Sequence, residues 1–454
     1  MHKILQISAS VWYKLYSQTV CARTRVLALN LQNQEFNFMG LVKNLSIVIA
    51  SAGFIVLAAT AEARAQSTDL INPNADDLIT TDIDLEYNSQ IGSPGFGPGQ
   101  LFVPQGIGVQ DSTGNIFVSN GRGLNPDGTF NANAGNRVEV FDPQGNYLRS
   151  VGSGRQGPGE GLDEPADLKF HPETGELHVG DVFNSEIDVY DPNTGEYVRS
   201  YGSFNGPVEG RLFFGPGGMS FNQDGDLYIT DFSGDVIKKY DGSTGDLIDT
   251  IGSAGSDLGQ FVGPAGLTVS PNTGNIYVTD QYNNRIQVLD QQGNPKFAFG
   301  SAGTGEGQFA QPIGIEVDEY ENLYVADSQN SRVQAFDKNG NFLASFGEPA
   351  RNEAGEVVPP PALGGLPFGN PSVLEPGVFN WTAGAHYDDG KLYVGDFFQG
   401  RVQALDVKQE VVPEPSALLG IGVLGVGAAA AKVLRKRRLK SAMSLAIASE
   451  KTTV

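Results

Sequence analysis

One unit recurs along the centre of this chain. Its clearest copy is GQFVGPAGLTVSPNTGNIYVTDQYNNRIQVLDQQGNPKFAFGS (259–301). The next is GQFAQPIGIEVDEYENLYVADSQNSRVQAFDKNGNFLASFGE (307–348). Earlier copies start at Gly99, Gly161 and Gly210, and a shortened one runs from Gly377 to Asp406. A proline anchors the copies at Pro104, Pro165, Pro216, Pro264 and Pro312, and Trp381 reads into its place in the sixth. The spacing from Pro216 to Pro264 is 48 residues, and it recurs from Pro264 to Pro312. A fixed period of this size means a propeller or a solenoid, because one copy alone cannot cover its apolar face.

Each copy holds four short runs rich in Ile, Val, Leu, Tyr and Phe. In the fourth copy they are Gly266–Val269, Asn275–Thr279, Arg285–Asp290 and Lys296–Gly300. Turn sequences such as SPNTGN and DQQGN part them. Asx side chains that bond back to the backbone, with a glycine at positive φ, make these tight hairpins. The 59 glycines and 25 prolines among 454 residues suit such a fold. No stretch of the centre keeps a helical period. Four antiparallel strands per copy make one propeller blade. The sixth copy stops after its third strand, at QGRVQALD. Tyr87–Ser93 (YNSQIGS) matches Tyr147–Ser153 (YLRSVGS), so the N-terminal strand is expected to supply the missing outer strand and shut the ring.

The pattern G-Q-F…P-x-G-I-x-V…G-N-I-Y-V-x-D…N-x-R-I-Q-V-F-D resembles NHL repeats over roughly residues 85–406. Six such units imply an all-β, six-bladed β-propeller of NHL type over 85–411, closed by the N-terminal strand. It would be flanked by a signal peptide and a C-terminal hydrophobic sorting helix.

Both ends read as addresses. Around Met39, Lys43 supplies a positive region, Leu45–Ala59 an apolar stretch, and Ala63-Arg64-Ala65 a cleavage site before Gln66. This sets a signal peptide at 39–65 and an N-terminal linker at 66–84. Residues 1–38 read as no part of the native product, a long leading region being the alternative. The sole cysteine, Cys21, lies there. The remainder therefore offers no disulfide, no Cys-based metal site and no zinc-dependent ubiquitin ligase. At the other end, Pro413-Glu414-Pro415 precedes an apolar run from Ala417 to Ala431 and the basic Arg435, Lys436, Arg437 and Arg438. The order closely resembles the PEP-CTERM sorting signal (412–440) of bacterial exported proteins, with a tail at 441–454. That resemblance implies a membrane contact through the C-terminal helix and an exosortase-type processing protease as a partner. The protein would then be exported, and either anchored at the bacterial cell envelope or released from it. The formal charge is −22, and both ends are basic, so the centre is more acidic still. Such a surface excludes nucleic acid as a partner.

Strand order fixes two faces. Loops after the second and fourth strands share one, and hairpins after the first and third share the other. Two insertions fall on the first face: Gly121–Gly135, with Arg122 and Asp127 inside it, and Glu348–Gly377, with Pro359–Pro361. Grown loops carry recognition, so this is the expected ligand face. At the ends of the second strands stand Asn120, Asp181, Asp231, Asp280, Asp327 and Asp396. Near them come Arg137, Glu186, Asp235, Arg285, Arg332 and Arg401. One reading is a ring of oxygen ligands for a cation, with Asp181, Glu186, Asp231 and Asp235 the most acidic arc. The other is Asp–Arg pairing and turn capping, copied because the blade is copied. His171 reads into a hairpin, His178 into packing, and His386 toward the channel. No zinc-ligand spacing and no nucleophile elbow is present. The function expected is a non-enzymatic binding or scaffold module for a protein or exopolysaccharide. It needs no cofactor beyond weak calcium. A calcium-dependent lyase or lactone hydrolase working in the central channel is the alternative, and a purely structural matrix protein is a third.

Overall fold

A computed structural model describes residues 78–124, 130–152, 161–211, 213–352, 355–357 and 375–413. Residues 1–38, the signal peptide with Ala63, Ala65 and Gln66, Asp127, Pro359–Pro361 and the sorting segment from Glu414 onward lie outside them. Of Arg122 only the backbone is described.

The described chain forms six four-stranded antiparallel sheets. Blade 1 contains Pro104–Gln110, Asn115–Leu124, Phe130–Phe141 and Tyr147–Val151. Blade 2 contains Pro165–Phe170, Leu177–Asp181, Glu186–Tyr190 and Tyr197–Tyr201. Blade 3 contains Pro216–Phe221, Asp226–Asp231, Val236–Asp241 and Leu247–Ile251. Blade 4 contains Pro264–Val269, Ile276–Asp280, Arg285–Leu289 and Pro295–Phe299. Blade 5 contains Ile315–Val317, Leu323–Asp327, Arg332–Phe336 and Phe342–Phe346. Blade 6 contains Thr382–Asp388, Lys391–Asp396 and Arg401–Pro413, and its outer strand is the N-terminal Leu78–Ile91. Each inner strand packs on the next, and the sixth packs on the first, so the ring is closed. Among the described residues there is no α-helix, only the single 3-10 turns Gln281–Asn283 and Ser328–Asn330.

Closure follows the expected pairing, with Tyr87 opposite Leu405 and Ile91 opposite Val402. The closing strand is longer than its sequence match. It starts at Leu78, inside the stretch read as linker, and Leu78 and Ile79 pair with Pro413 and Val412 at the start of the sorting segment. The first insertion is an extended hairpin, Arg122 opposite Gly135 and Leu124 opposite Phe130, so it lengthens blade 1 on the expected face.

Burial between blades holds the ring. Phe261, Phe309 and Phe379 are fully buried wedges, with Leu101, Leu162 and Phe204 on the corresponding loops of blades 1 to 3. Each such side chain contributes roughly 1.5–3 kcal/mol by leaving water. Phe102 and Phe213, the aromatics close to this place in blades 1 and 3, do not take it; both belong to a separate cluster with Trp381 and Phe397. Trp381 is also displaced from its aligned role. Thr382 pairs with Asp396 as Pro264 pairs with Asp280. Trp381, at φ +69°, matches the left-handed residue before the proline in other blades, such as Gln311 at φ +51°.

Close to the axis, the inner strands bulge and crowd together. The bulges carry Gly106, Gly218, Gly266, Gly314 and Gly384. A Cβ on Gly266 would collide with the backbone oxygen of Ile313, and one on Gly384 with that of Gln105. Hydroxyls strap the bulges to the next blade: Thr279 Oγ1 donates to Ile313 O at 2.8 Å, and Thr230 Oγ1 to Ala265 O at 2.9 Å.

Candidate binding channel

The ring of second-strand ends does not face a ligand. Asp181, Asp231, Asp280, Asp327, Asp396 and Asn120 are at most 1% exposed. Each turns into its own blade and accepts a backbone N–H from the loop entering that blade. Asp280 Oδ1 takes Val262 N–H at 2.8 Å, Asp327 Oδ1 takes Ala310 N–H at 2.7 Å, and Asp396 Oδ1 takes Asn380 N–H at 2.9 Å. The other oxygen takes an arginine: Arg285 Nε at 2.8 Å, Arg332 Nε at 2.8 Å and Arg401 Nε at 3.0 Å. This is the capping-and-pairing reading, repeated because the loop repeats. A buried polar group must be satisfied, and here one carboxylate serves two needs.

Blades 1, 2 and 3 depart from it differently. In blade 1, Asn120 Nδ2 donates to Gln100 O, and Arg137 Nε pairs with Glu139 instead. In blade 3, Asp235 is not the strand residue matching Arg285. It holds the left-handed turn at φ +56°, as Asn284 does at φ +52°, and Val236 faces Asp231 across the strands. The cation arrives two residues later: Lys238 Nζ lies 2.8 Å from Asp231 Oδ2. Asp235 itself grips Arg211 with both oxygens at 2.7 Å. In blade 2, Glu186 does face Asp181, and Asp188 follows where blade 3 has Lys238. Burial pushes Asp181 up to about 7, although N–H groups of Asp163 and Asn184 hold it back. Burial, then the neighbouring Asp181 and Glu186, push Asp188 up to about 8. The acidic arc thus survives only in blade 2.

The asymmetric residues lie in the channel. Two positions past each bulge, the inner strands present Gly108, Lys169, Ser220, Thr268, Glu316 and His386. No two of these are alike. Lys169 Nζ lies 3.0 Å from Glu316 Oε1, joining blade 2 to blade 5 across the channel. His386 Nδ1 is 3.5 Å from the same oxygen, and His386 Nε2 accepts Val109 N–H at 3.2 Å. Burial opposes both charges of the ion pair. The attraction wins: Lys169 is raised by Glu316 and Asp167, and Glu316 is lowered by Lys169 and His386. Asp167 stands where the other five blades have the bulge glycine. Burial raises it, against Lys169 and the Met219 N–H that bonds its Oδ2 at 2.9 Å.

Two cavities flank this layer. One, of about 290 Å³, lies at the insertion-bearing end, and Phe183, Phe213, Phe214, Phe232, Ile313 and Phe397 line it. Its polar members are Gln105, Glu164 and Asp167; Gln105 Nε2 bonds Glu164 Oε1 at 2.7 Å. Phe183, 43% exposed, meets Phe214 edge-on at 4.8 Å between ring centres. The other cavity, of about 650 Å³, lies at the hairpin face, and Lys169, Glu316 and His386 form part of its wall. Of the histidines, His386 reaches the channel, His178 is fully buried, and His171 accepts the N–H groups of Glu173 and Thr174 in its hairpin. The sequence had pointed to His386. Lys169, Glu316 and Asp167 were missed, although their signal is plain: in the P-x-G-I-x-V segment Lys169 and Glu316 fill the second variable place, and Asp167 replaces the glycine.

Closed ring, strand order and channel define a six-bladed β-propeller. The family described as a 6-bladed beta-propeller (DUF5128) matches residues 267–349. Peptidyl-glycine alpha-amidating monooxygenase B of Xenopus laevis is 33% identical over 119 residues, 25% of this chain and 13% of that protein. The probable peptidyl-alpha-hydroxyglycine alpha-amidating lyase pgal-1 of Caenorhabditis elegans is 30% identical over 118 residues, 25% of this chain and 33% of that protein. The chain thus spans a third or less of these relatives. A structural genomics protein of unknown function from Bacteroides thetaiotaomicron shares the fold, with a TM-score of 0.51 and 16% identity over 72% of this chain and 77% of that one.

Proposed function

We propose that this propeller is an exported, envelope-associated, non-enzymatic binding or scaffold module, and that a protein partner docks on the insertion-bearing face. The observation that carries the reading is the apolar mouth there. A cavity of about 290 Å³ walled by phenylalanines accepts one large side chain and offers a glycan's hydroxyls few partners. Buried aromatic pockets of this kind anchor protein interfaces. The lengthened hairpin of blade 1 adds surface beside it.

The ends suit the same reading. Leu78 and Pro413 leave the propeller side by side, at the end of blade 6 opposite the mouth. A chain held by its PEP-CTERM segment would therefore present the mouth away from the membrane, whether an exosortase-type protease trims the tail or not. No nucleic acid enters this reading, and any calcium would be held loosely by the acidic surface. A calcium-dependent lyase or lactone hydrolase has less behind it. Asp231 and Asp280, the carboxylates from which a cation site would be built, are engaged by Lys238 and Arg285.

The test compares the full chain with Phe183→Asp and Phe214→Asp as baits for envelope extract. A protein retained by the parent and lost from both variants, with their melting unchanged, supports the proposal. Equal retention by all three, or a calcium-dependent lyase activity in the parent, contradicts it.

A further inference from the structure

We infer that the hairpin-face half of the channel is a separate binding site for a small, neutral, polyhydroxylated ligand, a saccharide unit, held by Lys169 and Glu316. This goes beyond the docking face and uses none of its residues.

The unspent hydrogen-bonding capacity of the pair carries the inference. Glu316 is 9% exposed, and its Oε2 has no hydrogen-bond partner, while Oε1 takes Lys169 at 3.0 Å. His386 Nε2 accepts Val109 N–H, so a neutral imidazole carries its proton on Nδ1. Glu316 Oε1 is 3.5 Å from that nitrogen, and the 3.5 Å approach of Lys169 Nζ to a protonated Nδ1 is then no hydrogen bond. Lys169 keeps two unspent protons and Glu316 an unspent oxygen. An orphaned carboxylate oxygen at this depth is costly, and a ligand donor removes the cost.

Charge selects the ligand class. An ammonium would be repelled by Lys169 and a carboxylate by Glu316. A hydroxyl both donates and accepts, so it suits a cation and an anion standing together. Hydroxyls on adjacent ring carbons are about one hydrogen-bond length apart, as the two charged atoms are. Ser220 and Thr268 add hydroxyls to the same layer, and Phe170 and Phe221 add apolar surface for the C–H face of a sugar ring. The cavity of about 650 Å³ holds a mono- or disaccharide and opens on the hairpin face.

The test titrates the full chain with glucose, galactose, mannose and N-acetylglucosamine by calorimetry, with sodium acetate and ammonium chloride as controls. The imidazole NMR signals are followed in parallel. The expected result is saturable binding of at least one sugar, a moved His386 signal, and affinity at least tenfold weaker in Glu316→Gln. Phe214→Asp should bind as the parent does, which separates failure here from failure of the docking face. A matching oligosaccharide that binds more tightly than its monomer identifies a glycan end as the source; equal affinity identifies the free sugar. If Glu316→Gln does not fold, the neutral pair Lys169→Met with Glu316→Gln and the His386 signal of the parent decide. No sugar bound, binding that leaves the His386 signal still, or binding of acetate or ammonium in place of sugar overturns the inference.

Discussion

Asn88 Nδ2 lies 2.9 Å and 3.0 Å from the two carboxylate oxygens of Asp406, although 318 residues separate them in sequence. The contact ties the first described strand to the last and marks the seam of the ring. Beneath it Ile91, 2% exposed, packs in the core shared by blades 6 and 1. Ile91→Ala should cost about 2–4 kcal/mol in urea unfolding. A loss under 1 kcal/mol would mean that the seam contributes little.

The crowded bulges predict a second cost. Gly266→Ala drives a methyl into the backbone oxygen of Ile313 on blade 5. Neither backbone can withdraw without shifting a blade, so we expect a loss of about 3 kcal/mol. Gly175→Ala is a control for strain without crowding. It has φ +70° and nothing within 4 Å of the added carbon, and it should lose less.

Arg401 should matter more than its repeats. It is 0% exposed and donates to Asp396, Val378 O, Gln399 and Gln90. Arg401→Met leaves Asp396 buried without its cation and should cost about 3–5 kcal/mol. Arg332→Met, at a site 14% exposed, should cost less. Thermal melts of the two variants decide the order.

His178 predicts acid sensitivity. Burial, then Arg199 and His171, push it down to about 3 from an ordinary 6.5. Its Nδ1 contacts Tyr201 Oη at 2.8 Å, and its Nε2 has no hydrogen-bond partner, Glu176 Oε2 lying 3.9 Å away. The folded state binds this proton less readily than the unfolded chain. The stability is therefore complete above about pH 6.5 and is lost as pH falls toward 3, with about 2 kcal/mol gone by pH 5. His178→Phe should flatten that limb of the stability curve. An unchanged limb would place the acid sensitivity elsewhere.

Which features could be read from the sequence follows from how repetition works. The ring and its seam were legible because Tyr87–Ser93 copies Tyr147–Ser153, and a copied strand needs a copied place. The position of the Asp ring was legible, but its direction was not: only the structure shows Val262 N–H behind Asp280. Asp235 was misjudged by one residue, since the strand partner falls five places after the aspartate, at Val236. Lys169 and Glu316 escaped because an alignment rewards likeness, and their layer holds six different residues. The ion pair between them joins residues 147 apart in sequence, which no local pattern announces.

The most direct measurement of the docking claim is site-specific photo-cross-linking in the native envelope. A benzoylphenylalanine placed at Phe183, in the mouth, should yield one discrete protein adduct. The same probe at Gln223, beside the hairpin-face cavity, should not. An adduct from Gln223 with none from Phe183 would contradict the account.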